Sequence, residues 1–199
     1  MAFLLEKCIF SPLNDSIIEF CTPFDCDHKD LNDFFLNDSR NYSKELLGKS
    51  YCFYLEDNPK IIVAAFTISN DSIKANFLPN GRKKRVTKRI PFVKQFRTYP
   101  AVLIGRLGVN VDYKSNGIGR ELLDFIKAWF VDKSNKTGCR FIVVDSYNDK
   151  KPMDFYLKNS FEYLFTTEEQ EKKYAGLQNN DKLETRLMFF DLINLVSIN

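Results

Sequence analysis

Apolar positions recur along this chain with two distinct periods. From Gly117 to about Lys133 they fall at Ile118, Leu122, Phe125, Ile126, Trp129 and Phe130, the spacing of an amphipathic helix. Just upstream, Ala101 to Val111 reads as a strand. Leu103, Leu107, Val109 and Val111 share one of its faces, and Val102 and Ile104 lie on the other. Lys29 to Leu47 predicts a second helix, with Leu31, Phe34, Phe35 and Leu36 on its apolar side and Asp27 as its N-cap. Ser50 to Leu55 and Lys60 to Ser69 read as a hairpin of half-buried strands joined by Glu56-Asp57-Asn58-Pro59. The opening, Cys8 to Phe20, reads as a strand with a turn at Asn14-Asp15-Ser16. Beyond Gly138 come a buried strand at Phe141 to Val144, a short helix at Lys151 to Asn159 with Pro152 in its first turn, and a strand at Phe161 to Phe165. Thr166 to Lys182 reads as a polar connection to a last strand, Leu183 to Phe190. The order predicts an α/β fold with a mixed sheet in one domain spanning 1–199.

Composition changes this picture little. A chain of 199 residues, 44% hydrophobic and 15% aromatic, has enough apolar mass for a packed core. No stretch approaches the roughly 20 apolar residues of a membrane span. Residues 1–10 show neither a basic segment nor a small-residue cleavage site, so a cytoplasmic protein is expected. Cys8, Cys21, Cys26, Cys52 and Cys139 show no Cys-x-x-Cys spacing, and a reducing compartment keeps such thiols free. His28 is the sole histidine, which leaves a zinc site short of ligands and argues against Ser-His or Cys-His catalysis; no metal is expected.

Charge changes it more. The net charge is +3, yet from Ser72 to Val111 there is no acidic residue. The segment from Pro79 to Tyr99, with Pro79, Asn80, Gly81 and Pro91, is expected to be a basic surface excursion. Its Arg82, Lys83, Lys84, Arg85, Lys88, Arg89, Lys94 and Arg97 are either a solvated run or a face for a polyanion. Phe92, Phe96 and Tyr99 are interleaved with those charges and are candidates for stacking on unpaired bases.

The junction between predicted strand and helix carries the chemistry. It reads Tyr113-Lys114-Ser115-Asn116-Gly117-Ile118-Gly119-Arg120. Glycines allow close backbone approach, and the N–H groups of a helix N-terminus suit a pyrophosphate. The glycines alone fit a ligand-free tight turn equally well. The run lacks the Gly-Lys-Ser/Thr ending of a P-loop, and Leu122 stands where a dinucleotide fold places its third glycine.

The segment Arg106 to Leu123 resembles the acetyl-CoA motif of the GNAT acetyltransferases, Gln/Arg-x-x-Gly-x-Gly/Ala after a strand, with Lys114 in place of Gln or Arg. Asp154-Phe155-Tyr156-Leu157-Lys158-Asn159-Ser160-Phe161 is similar to the family's FYxxxGF element, with Ser160 in place of glycine. The resemblance covers roughly residues 100 to 165. It implies a mixed, mostly antiparallel sheet with a central splayed strand pair flanked by helices. It also implies an acetyl-CoA-dependent N-acetyltransferase acting on an amine. Lys114, Ser115, Asn116, Gly117, Ile118, Gly119 and Arg120 would then hold the pyrophosphate, and the backbone of Leu107, Gly108 and Val109 the pantetheine arm. Tyr156 would donate a proton to the departing thiolate; read by itself, it fits a core aromatic as well. Asn148 and Tyr147 are candidates for contacts to acetyl-CoA or the acceptor, and Asp145 either joins them or closes a turn.

The N-terminal half narrows the resemblance. Phe24-Asp25-Cys26-Asp27-His28-Lys29-Asp30-Leu31-Asn32-Asp33-Phe34-Phe35 and the strand Gly105-Arg106-Leu107-Gly108-Val109 are similar to toxin-type GNAT proteins. That implies acetylation of aminoacyl-tRNA, with a ribbon-helix-helix antitoxin as partner. A GNAT enzyme for a small-molecule or protein amine, and a non-catalytic module that binds CoA or nucleic acid, are the alternatives. A homodimer contact through Leu183 to Phe190 and the tail after it is also expected.

Overall fold

The longest apolar run in the hairpin region becomes the most buried strand: Ile62 to Thr67 are all buried in succession. That continuous burial, rather than alternation, is what a strand covered on both faces requires. A computed structural model of the chain describes residues 2–90 and 96–196.

In chain order, the first elements are α1 (Phe3–Lys7), β1 (Cys8–Pro12), α2 (Asp15–Phe20) and α3 (Lys29–Asp33). A π-helical turn, Phe34–Asp38, leads into α4 (Ser39–Lys44), followed by β2 (Lys49–Leu55) and β3 (Ile62–Ile73). A 3-10 turn at Ala75–Phe77 precedes α5 (Asn80–Thr87), and β4 (Tyr99–Val109) precedes another at Val111–Tyr113. Then come α6 (Ile118–Val131), β5 (Phe141–Tyr147), α7 (Lys150–Lys158), β6 (Glu162–Tyr163), α8 (Glu168–Ala175) and β7 (Thr185–Asp191). The strands form a seven-stranded sheet in the order β1-β2-β3-β4-β5-β7-β6. The β1–β2, β2–β3, β5–β7 and β6–β7 pairs are antiparallel.

The chain divides into two compact units, Met1–Ser69 with Ile104–Ile126 and Asn70–Leu103 with Lys127–Asn199. In the first, Phe24, Phe34, Phe35, Cys52, Ile62 and Ala65 form one apolar cluster. Phe125 of α6 packs its ring 4.8 Å from Phe10 and 4.9 Å from Phe53. Ile118, Leu122, Leu123 and Ile126 are buried beside it, each burial worth roughly 1.5–3 kcal/mol. Glu121 in the first turn of α6 accepts the Leu4 N–H at 2.9 Å and so ties α1 to that helix.

In the second unit, Ile73, Val86, Tyr99, Phe141, Val143, Phe165 and Phe189 form the core. Lys127 is buried there, its ammonium donating to the Asn159 carbonyl at 2.9 Å and lying 4.4 Å from the Phe190 ring centre. Glu171 and Arg186 make a buried pair, Nε to Oε2 at 2.7 Å. Burial pushes the Glu171 carboxyl up, opposed by the Leu187 N–H and the Arg186 guanidinium that bond it.

Several expectations are corrected by local chemistry. Asn14-Asp15-Ser16 is not a turn within a strand but the start of α2, the Asn14 side chain accepting the Ile17 N–H at 3.0 Å as its cap. The N-cap of α3 is His28, whose Nδ1 accepts from the Leu31 N–H, while Asp27 sits at φ +55°. The Thr166–Lys182 connection contains α8. Thr167 caps it through the Gln170 N–H, and Gly176 ends it at φ +74° with the Leu177 N–H on the Lys172 carbonyl at 2.8 Å. The Pro79–Tyr99 excursion contains α5. β7 is paired on one side to β5 and on the other to β6. The β6 pairing covers Met188 and Phe189 only.

Candidate functional site

The sequence Ser115-Asn116-Gly117 turns the chain from the 3-10 turn into α6, and it does so through the left-handed region twice, at Ser115 (φ +67°) and Gly117 (φ +81°). Alternation of this kind points successive N–H groups to the same side, the geometry of an anion-binding nest. The Arg120 and Glu121 N–H groups bond the Gly117 carbonyl at 3.0 and 3.1 Å and begin the helix. The N–H groups of Ser115, Asn116, Gly117, Ile118 and Gly119 find no acceptor among the described residues. Such donors need partners, and the start of a 14-residue helix adds its dipole to them. Ser115, Asn116 and Gly117 are exposed. Donor set, dipole and exposure fit an anionic group such as a pyrophosphate. Two cations flank the turn: Lys114 lies 3.6 Å from Asp27, and Arg120 lies 3.7 Å from Asp124.

The strand leading to this turn is held on one side by close packing. A Cβ on Gly108 would come within 3.0 Å of the Phe24 ring and 3.1 Å of the Cys26 sulfur. Leu107 and Val109 are half-buried. Asn110 fixes the strand end, its side chain donating to the Ile62 carbonyl and accepting the Asp112 N–H. Arg106 lays its guanidinium 4.7 Å from the Phe34 ring centre. Its buried Nε has no partner among the described residues.

In the second unit, Tyr156 sits on α7 with Phe155 and Phe161 at centroid distances of 5.2 and 5.4 Å. Its hydroxyl makes no hydrogen bond among the described residues. Burial pushes its phenol well above the ordinary value, so the group is a protonated donor at neutral pH. Ser160, in the position where a glycine was expected, indeed adopts φ +66°, and the Phe161 N–H returns to the Tyr156 carbonyl at 3.0 Å. Asn148 is committed to structure: its amide donates to Glu168 Oε1 at 3.0 Å and to the Leu183 carbonyl at 2.8 Å. Asp145 and Tyr147 are exposed on β5.

The basic residues of 79–99 divide by what they touch. Arg82 donates to the carbonyls of Tyr163 and Leu164. Arg85 grips Glu162 with two bonds of 2.9 and 2.7 Å, and Arg89 bonds Asn194. Arg82 and Arg85 fasten α5 to β6 and the turn after it, and Arg89 follows the helix. Lys84, Lys88 and Arg97 are exposed, and Lys83 is half-buried. Tyr99 is buried against Phe141 and is not available for stacking, whereas Phe96 is exposed. Lys94 and Phe92 lie outside the described residues. Sequence reasoning missed these contacts because the partners lie 77 to 105 residues away along the chain.

No family model matches the chain, and no curated protein matches it. Solved structures do. A tyrosine-to-phenylalanine mutant of KacT superposes with a TM-score of 0.71 at 18% identity, covering 98% of this chain and 100% of that one. AtaT complexed with acetyl-methionyl-tRNAfMet gives 0.68 at 17% identity, over 95% and 97%. AtaTR bound with acetyl-CoA gives 0.65 at 14% identity, over 96% and 97%. The fold is thus the GNAT-like one that the two motifs imply.

Proposed function

We propose that this chain is an acetyl-CoA-dependent N-acetyltransferase whose acceptor is the α-amine of aminoacyl-tRNA. The observation that carries the reading is the run of unpartnered N–H groups from Ser115 to Gly119 at the start of α6. Their number and direction suit the two phosphates of a CoA pyrophosphate, and Gly117, with open space where a Cβ would stand, leaves room for it. The structural similarity to proteins solved with acetyl-CoA and with an acetylated aminoacyl-tRNA supports the same reading.

When bound, acetyl-CoA supplies an activated acetyl thioester. The backbone at Leu107–Val109 orients it, with Gly108 keeping that stretch of strand narrow. Transfer requires the acceptor amine to attack the thioester carbonyl, the C–S bond to break and the thiolate to gain a proton. Tyr156 gives that proton, its raised pKa keeping it loaded, and the amine loses its own to water. A free α-amine, with an ordinary pKa of roughly 8, is about one-tenth neutral at pH 7 and half neutral at pH 8, so it needs little help from a general base. Lys84, Lys88 and Arg97 meet the phosphates of the acceptor. As a toxin the chain would work where charged tRNA and acetyl-CoA are both present, in a reducing cytoplasm that agrees with five free thiols. Its control would fall to a DNA-binding antitoxin of the ribbon-helix-helix kind.

The test is transfer of labelled acetyl from acetyl-CoA to charged tRNA, with deacylated tRNA and spermidine alongside. Label on charged tRNA alone is expected. Tyr156→Phe should lower kcat by about 10²–10⁴-fold and leave acetyl-CoA affinity unchanged. Label on spermidine, or undiminished turnover in Tyr156→Phe, would refute the acceptor or the acid respectively.

A further inference from the structure

The second unit contains a cavity of about 720 Å³ that acetyl transfer leaves unused. Lys74, Phe77, Pro79, Gln170, Lys173 and Tyr174 line it. Phe77 is 64% exposed, an unusual state for a ring of that size. It meets Tyr174 edge-on at 6.5 Å and 71°, and Tyr174 is itself anchored 4.9 Å from the buried Phe165. One face of Phe77 is therefore presented by a fixed neighbour. Lys74 and Lys173 form no ion pair among the described residues. Gln170 uses its carbonyl oxygen to accept the Thr166 N–H, which leaves its amide hydrogens to donate. Asp71, whose charge reaches the Tyr174 hydroxyl, is not part of the lining. Pro79 belongs to the lining and also accepts the Lys83 N–H at 2.9 Å, so the cavity borders the start of α5.

A ligand that satisfies this lining is flat, aromatic and negatively charged. An acidic peptide would answer the lysines and leave Phe77 in water. An apolar ligand would do the reverse. We propose that the cavity holds one unpaired nucleotide of an RNA, its base on Phe77 and the flanking phosphates on Lys74 and Lys173. The base must be unpaired, because a base within a duplex cannot offer its face to a side chain. This rests on the reading of the acceptor as an RNA.

The experiment measures binding of a labelled single-stranded RNA, and of deacylated tRNA, to the full chain across a salt series, with acetyl-CoA affinity measured separately. Phe77→Ala should weaken RNA binding about tenfold, in line with the loss of one stacked base. Phe77→Leu keeps the apolar bulk and should lose nearly as much. Lys74→Gln combined with Lys173→Gln should reduce the salt slope by about 1.4, two single-strand phosphate contacts. Acetyl-CoA affinity and thermal stability should not change in any of them. Variants that bind RNA like the wild type would overturn the proposal, as would a polyglutamate peptide that competes equally well. A wild-type chain that binds no RNA would remove the acceptor reading and this one together. Equal binding by wild type and variants would remove the cavity alone.

Discussion

Two residues show how local geometry sets a cost that hydrophobicity does not reveal. Gly108 lies near the end of β4, where glycine is ordinarily unfavourable, and the Phe24 ring and Cys26 side chain pressed on it explain its presence. Gly108→Ala is expected to cost about 1–3 kcal/mol through overpacking, read as a lower urea midpoint with an unchanged m-value. Leu46 is the opposite case. It is 89% exposed at φ +59°, a conformation that leucine adopts against its own Cβ. Leu46→Asn keeps no packing that was there before and relieves the strain, so it should raise stability by roughly 0.5–1 kcal/mol. A fall in melting temperature for that variant would show that the leucine has a partner in the folded state.

At the scale of elements, α5 is the informative case. Its sequence, Asn-Gly-Arg-Lys-Lys-Arg-Val-Thr, has one buried side chain, Val86, too little to hold eight residues by apolar burial. Arginines do the fastening. Arg85 holds the Glu162 carboxyl below its ordinary value of 4.5. A carboxylate depressed in this way contributes stability above pH 4.5 and loses it as pH falls through the folded value. Arg85→Ala should therefore cost up to about 1 kcal/mol at pH 7, the range of an exposed pair. The gap to wild type should close on acidification below pH 4.5, as measured by urea denaturation at each pH. Elements of this kind are the ones least legible in sequence. The helix at Ile118 announces itself by apolar period, and the strands around Ile62 and Phe141 by continuous apolar runs. α8 carries mostly Glu, Gln and Lys and shows no such stripe; its signals were the Thr167–Gln170 spacing and Gly176, both present in the sequence and both read as loop. α2 is hidden for a similar reason, since its capping Asn14 opens a run, Asn14-Asp15-Ser16, that equally fits a turn.

For the molecule as a whole, the tight turn at Ser115–Gly117 was legible because a glycine pair between a strand and an amphipathic helix is a purely local arrangement. The division of the basic segment was not, since whether an arginine meets a carbonyl or water depends on residues far along the chain. Charge distribution is unaffected by that division. The exposed Lys84, Lys88 and Arg97 still lie in a stretch without an acidic residue. Association with RNA should accordingly slow steeply with added salt, and stopped-flow rates at two ionic strengths would check it.

The unpartnered amides of 115–119 have a consequence in isotope exchange. An N–H without an acceptor exchanges with deuterated water at close to the rate of an unstructured peptide, while the buried helix that follows it exchanges slowly. The chain thus carries a built-in footprint: five adjacent fast protons ahead of a slow segment. Occupancy of the turn by CoA should convert the fast protons to slow ones without altering the helix. Mass spectrometry of that one peptide would then report ligand binding in Tyr156→Phe, where turnover cannot. If the peptide is already protected in the free chain, the donors have partners and the turn is no anion site.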